Sequence, residues 1–112
     1  MKKIEAIFDI SKLDSVRAAL DRVGVDIMTV IEVRGYERGS GRTELHRGAQ
    51  HKVYLVTKVK VEIMVEDGRV PALVDDLVRV TRTGRFGDSK IFVMPVEGAV
   101  CVKANGRVRD AL

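Results

Sequence analysis

Val53-Tyr54-Leu55-Val56-Thr57-Lys58-Val59-Lys60-Val61-Glu62-Ile63-Met64-Val65 alternates over most of its length. Val59, Val61, Ile63 and Val65 fall on one side, and Lys58, Lys60, Glu62 and Met64 on the other. A period of two sustained this far predicts a long strand with one apolar face and one mixed face. That arrangement belongs to an antiparallel sheet covered by helices on one side only.

Upstream lies a long polar stretch. From Ile31 to Lys58 the chain has a strand-like start, a centre rich in glycine and arginine, and a strand-like end. A segment of this length without its own periodicity is uncommon in a compact domain and is usually functional, so residues 36–55 are expected to be a binding limb. Asp26 to Val33 reads as the strand before it, with Met28 and Val30 facing one way and Ile31 and Val33 the other. The two strands are then the legs of an extended hairpin.

Further upstream, Lys3 to Phe8 alternates, with Ile4, Ala6 and Phe8 opposite Lys3, Glu5 and Ile7. Ser11 is the expected cap of a first helix, with Asp14 as the acidic member of a capping-box-like pair. Leu13, Val16, Leu20 and Val23 form its apolar stripe and Gly24 ends it. Downstream, Glu66-Asp67-Gly68 is a turn, and Pro71 is expected as the first residue of a second helix whose stripe is Leu73, Val74, Leu77, Val78 and Thr81. Lys90 to Met94 is a strand, Ala99 to Lys103 is expected to be another short one, and residues 104–112 form a polar tail.

Between the second helix and that strand stands Thr83-Gly84-Arg85-Phe86-Gly87-Asp88-Ser89-Lys90, a turn with two glycines, cations and hydroxyls. Such a turn lets backbone N–H groups crowd round an anion while Arg85 and Lys90 add charge. It reads either as a phosphate site or as an ordinary helix-to-strand connection.

The order β-α-β-limb-β-α-β is that of the ferredoxin-like α+β sandwich, an antiparallel sheet with two helices on one face. Its second face would carry Ile7, Ile31, Met64, Phe92 and Met94, and an apolar face that wide points to homo-oligomerisation.

The 112 residues fit one domain, 1–112, and carry a net charge of +4, which favours anionic partners in general. Aromatic residues are 4% and Trp is absent, so a stacking platform for nucleic acid is not expected. The lone Cys101 cannot form an internal disulfide, which fits a reducing, cytoplasmic compartment. Glu5 and Asp9 interrupt the N-terminal apolar segment too early for a signal peptide, and no apolar run approaches a bilayer span, so a soluble protein is expected. No nucleophile is spaced beside a base, so enzymatic turnover is not expected. His46 and His51 could close on a borderline cation but also read as two exposed limb histidines, and no metal site is assigned.

Taken together, Met1-Lys2-Lys3-Ile4-Glu5-Ala6-Ile7, Lys12-Leu13-Asp14, Val23-Gly24-Val25, Met28-Thr29-Val30, Gly35, Arg38, Gly41, Thr43-Glu44-Leu45, Arg47-Gly48-Ala49, Lys58-Val59-Lys60-Val61-Glu62-Ile63, Thr83-Gly84-Arg85-Phe86-Gly87-Asp88 and Lys90-Ile91-Phe92-Val93 resemble the PII family of nitrogen-regulatory signal-transduction proteins over essentially the whole chain. The resemblance implies a homotrimer with ATP or ADP in clefts between neighbours. The limb at 36–55 would be the family's T-loop, docking on a membrane transporter or metabolic enzyme through Arg42, Glu44, Leu45 and Arg47. The turn at 82–90 would be its B-loop.

The implied nucleotide set is Ile7, Thr29, Gly35, Tyr36, Glu37, Arg38, Glu62, Met64, Thr83, Gly84, Arg85, Phe86, Gly87, Asp88, Ser89, Lys90 and Lys103. Lys58 matches the position whose ammonium pairs with 2-oxoglutarate. Several residues depart from the family pattern. Gly39 stands where a Gln often coordinates Mg2+ and grips 2-oxoglutarate, and glycine has no ligand side chain. His51 replaces the uridylylated tyrosine, Ala49 the phosphorylated serine, Cys101 a phosphate-facing arginine and Lys103 another arginine. Asp9 and Ile10 replace a Lys-Pro pair.

Overall fold

A computed structural model describes residues 1–36, 55–84, 89–100 and 102, together with the backbone of 42–46 and 49–53. The chain runs β1 (Lys2–Phe8), α1 (Leu13–Arg22), β2 (Thr29–Tyr36), β3 (Arg42–His46), β4 (Ala49–Val53), β5 (Leu55–Val65), α2 (Val70–Thr81) and β6 (Ser89–Pro95). One 3-10 turn precedes each helix, at Ile10–Lys12 and Asp67–Arg69.

The main sheet has the order β2-β5-β1-β6 with every neighbouring pair antiparallel. This is the ferredoxin-like topology, in which each strand–helix–strand unit places its helix on the same face. The alternation of β1 and β5 decides that face. Ile4, Ala6, Phe8, Val59, Val61, Ile63 and Val65 are buried on the helix side, where they cluster with Val16 and Leu20 of α1 and Leu73 and Leu77 of α2.

Helix α1 ends in a tight reversal. The Val25 N–H donates to the Leu20 carbonyl at 2.9 Å and the Gly24 N–H to the Asp21 carbonyl at 3.2 Å, with Gly24 at φ +77°. These paired bonds satisfy the helix's last carbonyls only if one residue turns left-handed, which glycine does without a Cβ penalty. The Arg69 guanidinium then donates to the carbonyls of Val23 at 2.7 Å and Gly24 at 3.4 Å. That bond ties this corner to the start of α2.

Several sequence expectations are corrected. The cap near α1 is Asp9, whose carboxylate accepts the Ser11 N–H at 2.9 Å and starts the 3-10 turn. Ser11 lies inside that turn, and Asp14 lies 3.8 Å from Arg17 instead of closing a capping box. Strand β2 begins at Thr29, not Asp26, because the corner anchored by Arg69 joins the β5 ladder only where Thr29 meets Glu62. Pro71 is the second residue of α2, not the first.

The limb at 36–55 contains the paired strands β3 and β4, which form a separate two-stranded sheet. Among the described residues, 99, 100 and 102 are not in a strand, where one was expected; a period-two pattern needs a partner ladder, and none pairs with them among the described residues. Residues 101 and 103 of that expected strand, and the tail at 104–112, lie outside the described residues.

Candidate functional site

The face of the main sheet opposite the helices collects most of the described residues that the sequence nominated for nucleotide and 2-oxoglutarate. Register fixes who stands beside whom. Thr29, Glu62, Glu5 and Phe92 form one row across the four strands, and Ile31, Lys60, Ile7 and Lys90 form the next. Met64, Lys3 and Met94 lie beyond the first row, while Val33 with Lys58 and Gly35 with Val56 lie beyond the second.

The nominated residues therefore divide. Thr29, Glu62 and Met64 occupy one end of the face, Gly35 and Lys58 the other, and Ile7 and Lys90 the row between. Thr29 and Gly35 are six residues apart on one strand, which at strand rise is roughly 20 Å. A Cβ on Gly35 would come no nearer than 4.0 Å to the Val56 carbonyl oxygen, so packing does not demand glycine there; its absent side chain bares the backbone at that end.

Charge is patterned along the same axis. At one end the Lys3 ammonium lies 2.9 Å from Glu62 Oε2 and 3.1 Å from Glu5 Oε1. The Lys3 hydrogen bond holds the Glu62 carboxyl below the usual carboxylate range, and the bonds to Glu62 and then Glu5 push the Lys3 ammonium up. Glu62 is thus an ionised acceptor with a fixed neighbour. At the middle and the far end, Lys90, Lys60 and Lys58 set three cations on the face, suited to an anion. Chemically, one end can accept hydrogen bonds from hydroxyl or amine groups, and the other can neutralise phosphate or carboxylate.

The turn after α2 is anchored at both ends. Thr83 and Gly84 are exposed, and Gly84 adopts φ +83° with no atom of the described residues within 4 Å of where a Cβ would stand, so the left-handed conformation is what favours glycine. Ser89 pairs with buried Phe8 across the strands, and its hydroxyl lies 2.9 Å from Thr81 Oγ1 on the helix side. Lys90, one residue on, stands opposite Ile7 on the open side.

Tyr36 ends β2 with 60% exposure. Glu37, Arg38, Gly39, Arg85, Phe86, Gly87, Asp88 and Lys103 lie outside the described residues, as does Arg47 of the docking set. Arg42, Glu44 and Leu45 lie in β3, where Glu44 pairs with His51 and Leu45 with Gln50; His46 pairs with Ala49. Among the described residues no three His, Cys, Asp or Glu side chains group as metal ligands. No described helix is long and apolar enough to cross a membrane.

Sequence reasoning missed Lys3, Lys60 and Thr81 as site residues. The first two were within reach, since Lys3 shares the β1 alternation with Ile7, and Lys60 that of β5 with Lys58. Thr81 was read only as part of a helix stripe, because its partner Ser89 belongs to another element.

The chain matches the family model described as nitrogen regulatory protein P-II over residues 1–106. It is 45% identical over 112 residues to the nitrogen regulatory protein P-II of Synechocystis sp. (strain ATCC 27184 / PCC 6803 / Kazusa), covering all of both chains. It is likewise 45% identical, over all of both chains, to the protein of that name from Azospirillum brasilense. Against the nitrogen regulatory protein P-II 1 of Escherichia coli (strain K12) the identity is 48% over 111 residues, 99% of this chain and 98% of that one.

Proposed function

The chain belongs to the P-II family of nitrogen regulatory signal proteins, and from that premise we propose that it is a non-enzymatic, cytoplasmic regulator that binds ATP or ADP between the subunits of a homotrimer. Occupancy of the cleft would bias the limb at 36–55, and the limb would engage or release a membrane transporter or a metabolic enzyme.

One observation carries the reading. Ile7, Thr29, Gly35, Lys58, Glu62, Met64 and Lys90 share a single sheet face, with Thr29, Glu62 and Met64 at one end, Gly35 and Lys58 at the other, roughly 20 Å away along the strands, and Ile7 and Lys90 between them. That separation suits a cleft to which one subunit contributes Thr29, Glu62 and Met64, and its neighbour Gly35, Lys58, Ile7 and Lys90. The residues fit the ligand class. Ionised Glu62 suits a ribose hydroxyl or base amine, Ile7 and Met64 suit an apolar ring, and Lys90 with the glycine turn suits phosphate. Lys58 is the candidate for pairing a 2-oxoglutarate carboxylate, and Gly39 adds no side-chain ligand for Mg2+.

A ligand shifts the limb only by its differential affinity for two limb states, so ATP and ADP must differ in what they contact near residues 36–38. Calorimetric titration of the purified chain with ATP and with ADP tests the proposal. Saturable binding of both is expected. No heat from either at millimolar concentration would remove it.

A further inference from the structure

Thr81 is the buried polar residue of the core among the described residues, with 0% exposure. It ends α2, and Ser89 begins β6. Thr81 Oγ1 lies 2.7 Å from the Leu77 carbonyl oxygen and 2.9 Å from Ser89 Oγ. A threonine hydroxyl has one proton, and a carbonyl can only accept. Thr81 therefore donates to Leu77, and Ser89 supplies the proton between the two hydroxyls. The chain Ser89 to Thr81 to Leu77 is directional, and each bond polarises the next.

We propose that this hydroxyl pair is a clasp that positions Lys90 for polyphosphate, an inference that rests on the nucleotide reading above. Strand geometry carries the step from clasp to site. Successive residues point to opposite faces, so holding the Ser89 side chain against the helix commits Lys90 to the open face beside Ile7. β6 is an edge strand and Ser89 is its first residue, where a ladder otherwise frays. An aliphatic side chain would fill the space of Thr81 equally well; only the hydroxyl makes the link. Neither residue touches ligand in this scheme, and both are positioning residues.

The test is ATP titration of the full chain in the wild type and in Thr81→Val, Ser89→Ala, the double variant and Thr81→Ser. Each clasp-breaking variant is expected to weaken ATP about three- to tenfold, the worth of one hydrogen bond. The double variant should lose no more than the weaker single, because the pair acts as a unit. Thr81→Ser, which keeps the hydroxyl, should bind within about twofold of wild type. Lys90→Met should cost less on the Thr81→Val background than alone, a coupling that a purely structural role would not produce. Wild-type binding with unchanged affinity in Thr81→Val and Ser89→Ala, whatever their melting temperatures, would overturn the clasp and leave the nucleotide reading standing. Strictly additive losses, or no coupling to Lys90, would overturn it too. A wild type that binds neither ATP nor ADP would overturn both.

Discussion

Phe92→Ser probes whether the open face is covered by neighbouring subunits. Phe92 lies in the row with Glu5, Glu62 and Thr29, away from the helices, and is 46% exposed in the single chain. A fully covered phenylalanine buries about 150–250 Å². The part still open is then about 70–115 Å², and covering it at about 25 cal/mol per Å² stabilises by about 2–3 kcal/mol. In the proposed homotrimer symmetry would repeat the contact three times, about 5–9 kcal/mol in all.

Each 1.4 kcal/mol is about tenfold, so the assembly constant falls by roughly four to six decades. Trimer formation depends on the square of protein concentration at its midpoint, and that midpoint should rise about a hundred- to a thousandfold. Sedimentation velocity from nanomolar to high micromolar concentration reads this directly, from a species of about 37 kDa toward the 12.4 kDa chain. Circular dichroism on the same samples should be unchanged, because the core on the other face is untouched. A wild type that sediments as the 12.4 kDa chain, or a variant whose midpoint stays within threefold of wild type, would refute the reasoning.

Leu77→Ala removes a fully buried side chain between α2 and the sheet and should cost about 2–5 kcal/mol, a large share of a domain's usual stability, seen as a lower urea midpoint. Gly24→Ala places a Cβ on a residue at φ +77°, 3.4 Å from Arg69 Nη1, and should cost about 1–2 kcal/mol; an unchanged melting temperature would contradict the left-handed requirement. The Glu62 carboxyl is held below its ordinary 4.5, so its contribution is present above that pH and is lost as pH falls through the lowered value. The stability gap between wild type and Glu62→Gln, followed by urea unfolding, should therefore shrink below pH 4.5, and a gap that widens there would refute the assignment. Lys3, raised above 10.5, should lose its contribution only as pH climbs past that value.

Legibility differed sharply between elements. β1 and β5 were plain in the sequence because each has one buried face, and burial writes a period of two into residues such as Ile4, Ala6 and Phe8. β3 and β4 were missed, since Arg42-Thr43-Glu44-Leu45-His46 carries no such period; only backbone pairing defines that ribbon. At residues 99, 100 and 102 the opposite holds, a pattern without a partner among the described residues. At the site, the nomination of Ile7, Thr29, Gly35, Lys58, Glu62, Met64 and Lys90 came from family resemblance, and their common face was half-visible in the β5 alternation.

By itself the sequence determined which side of β1, β5 and the two helices would be apolar, where the first helix stops, and which family the chain resembles. These are local properties, set by backbone period and residue chemistry. Only the tertiary structure decided the register that sets Thr29 beside Glu62, the reach of Lys3 to a carboxylate 59 residues away, and the meeting of Thr81 with Ser89. Register is a relation between segments, settled when all four strands and both helices pack at once, and no single stretch of chain contains it.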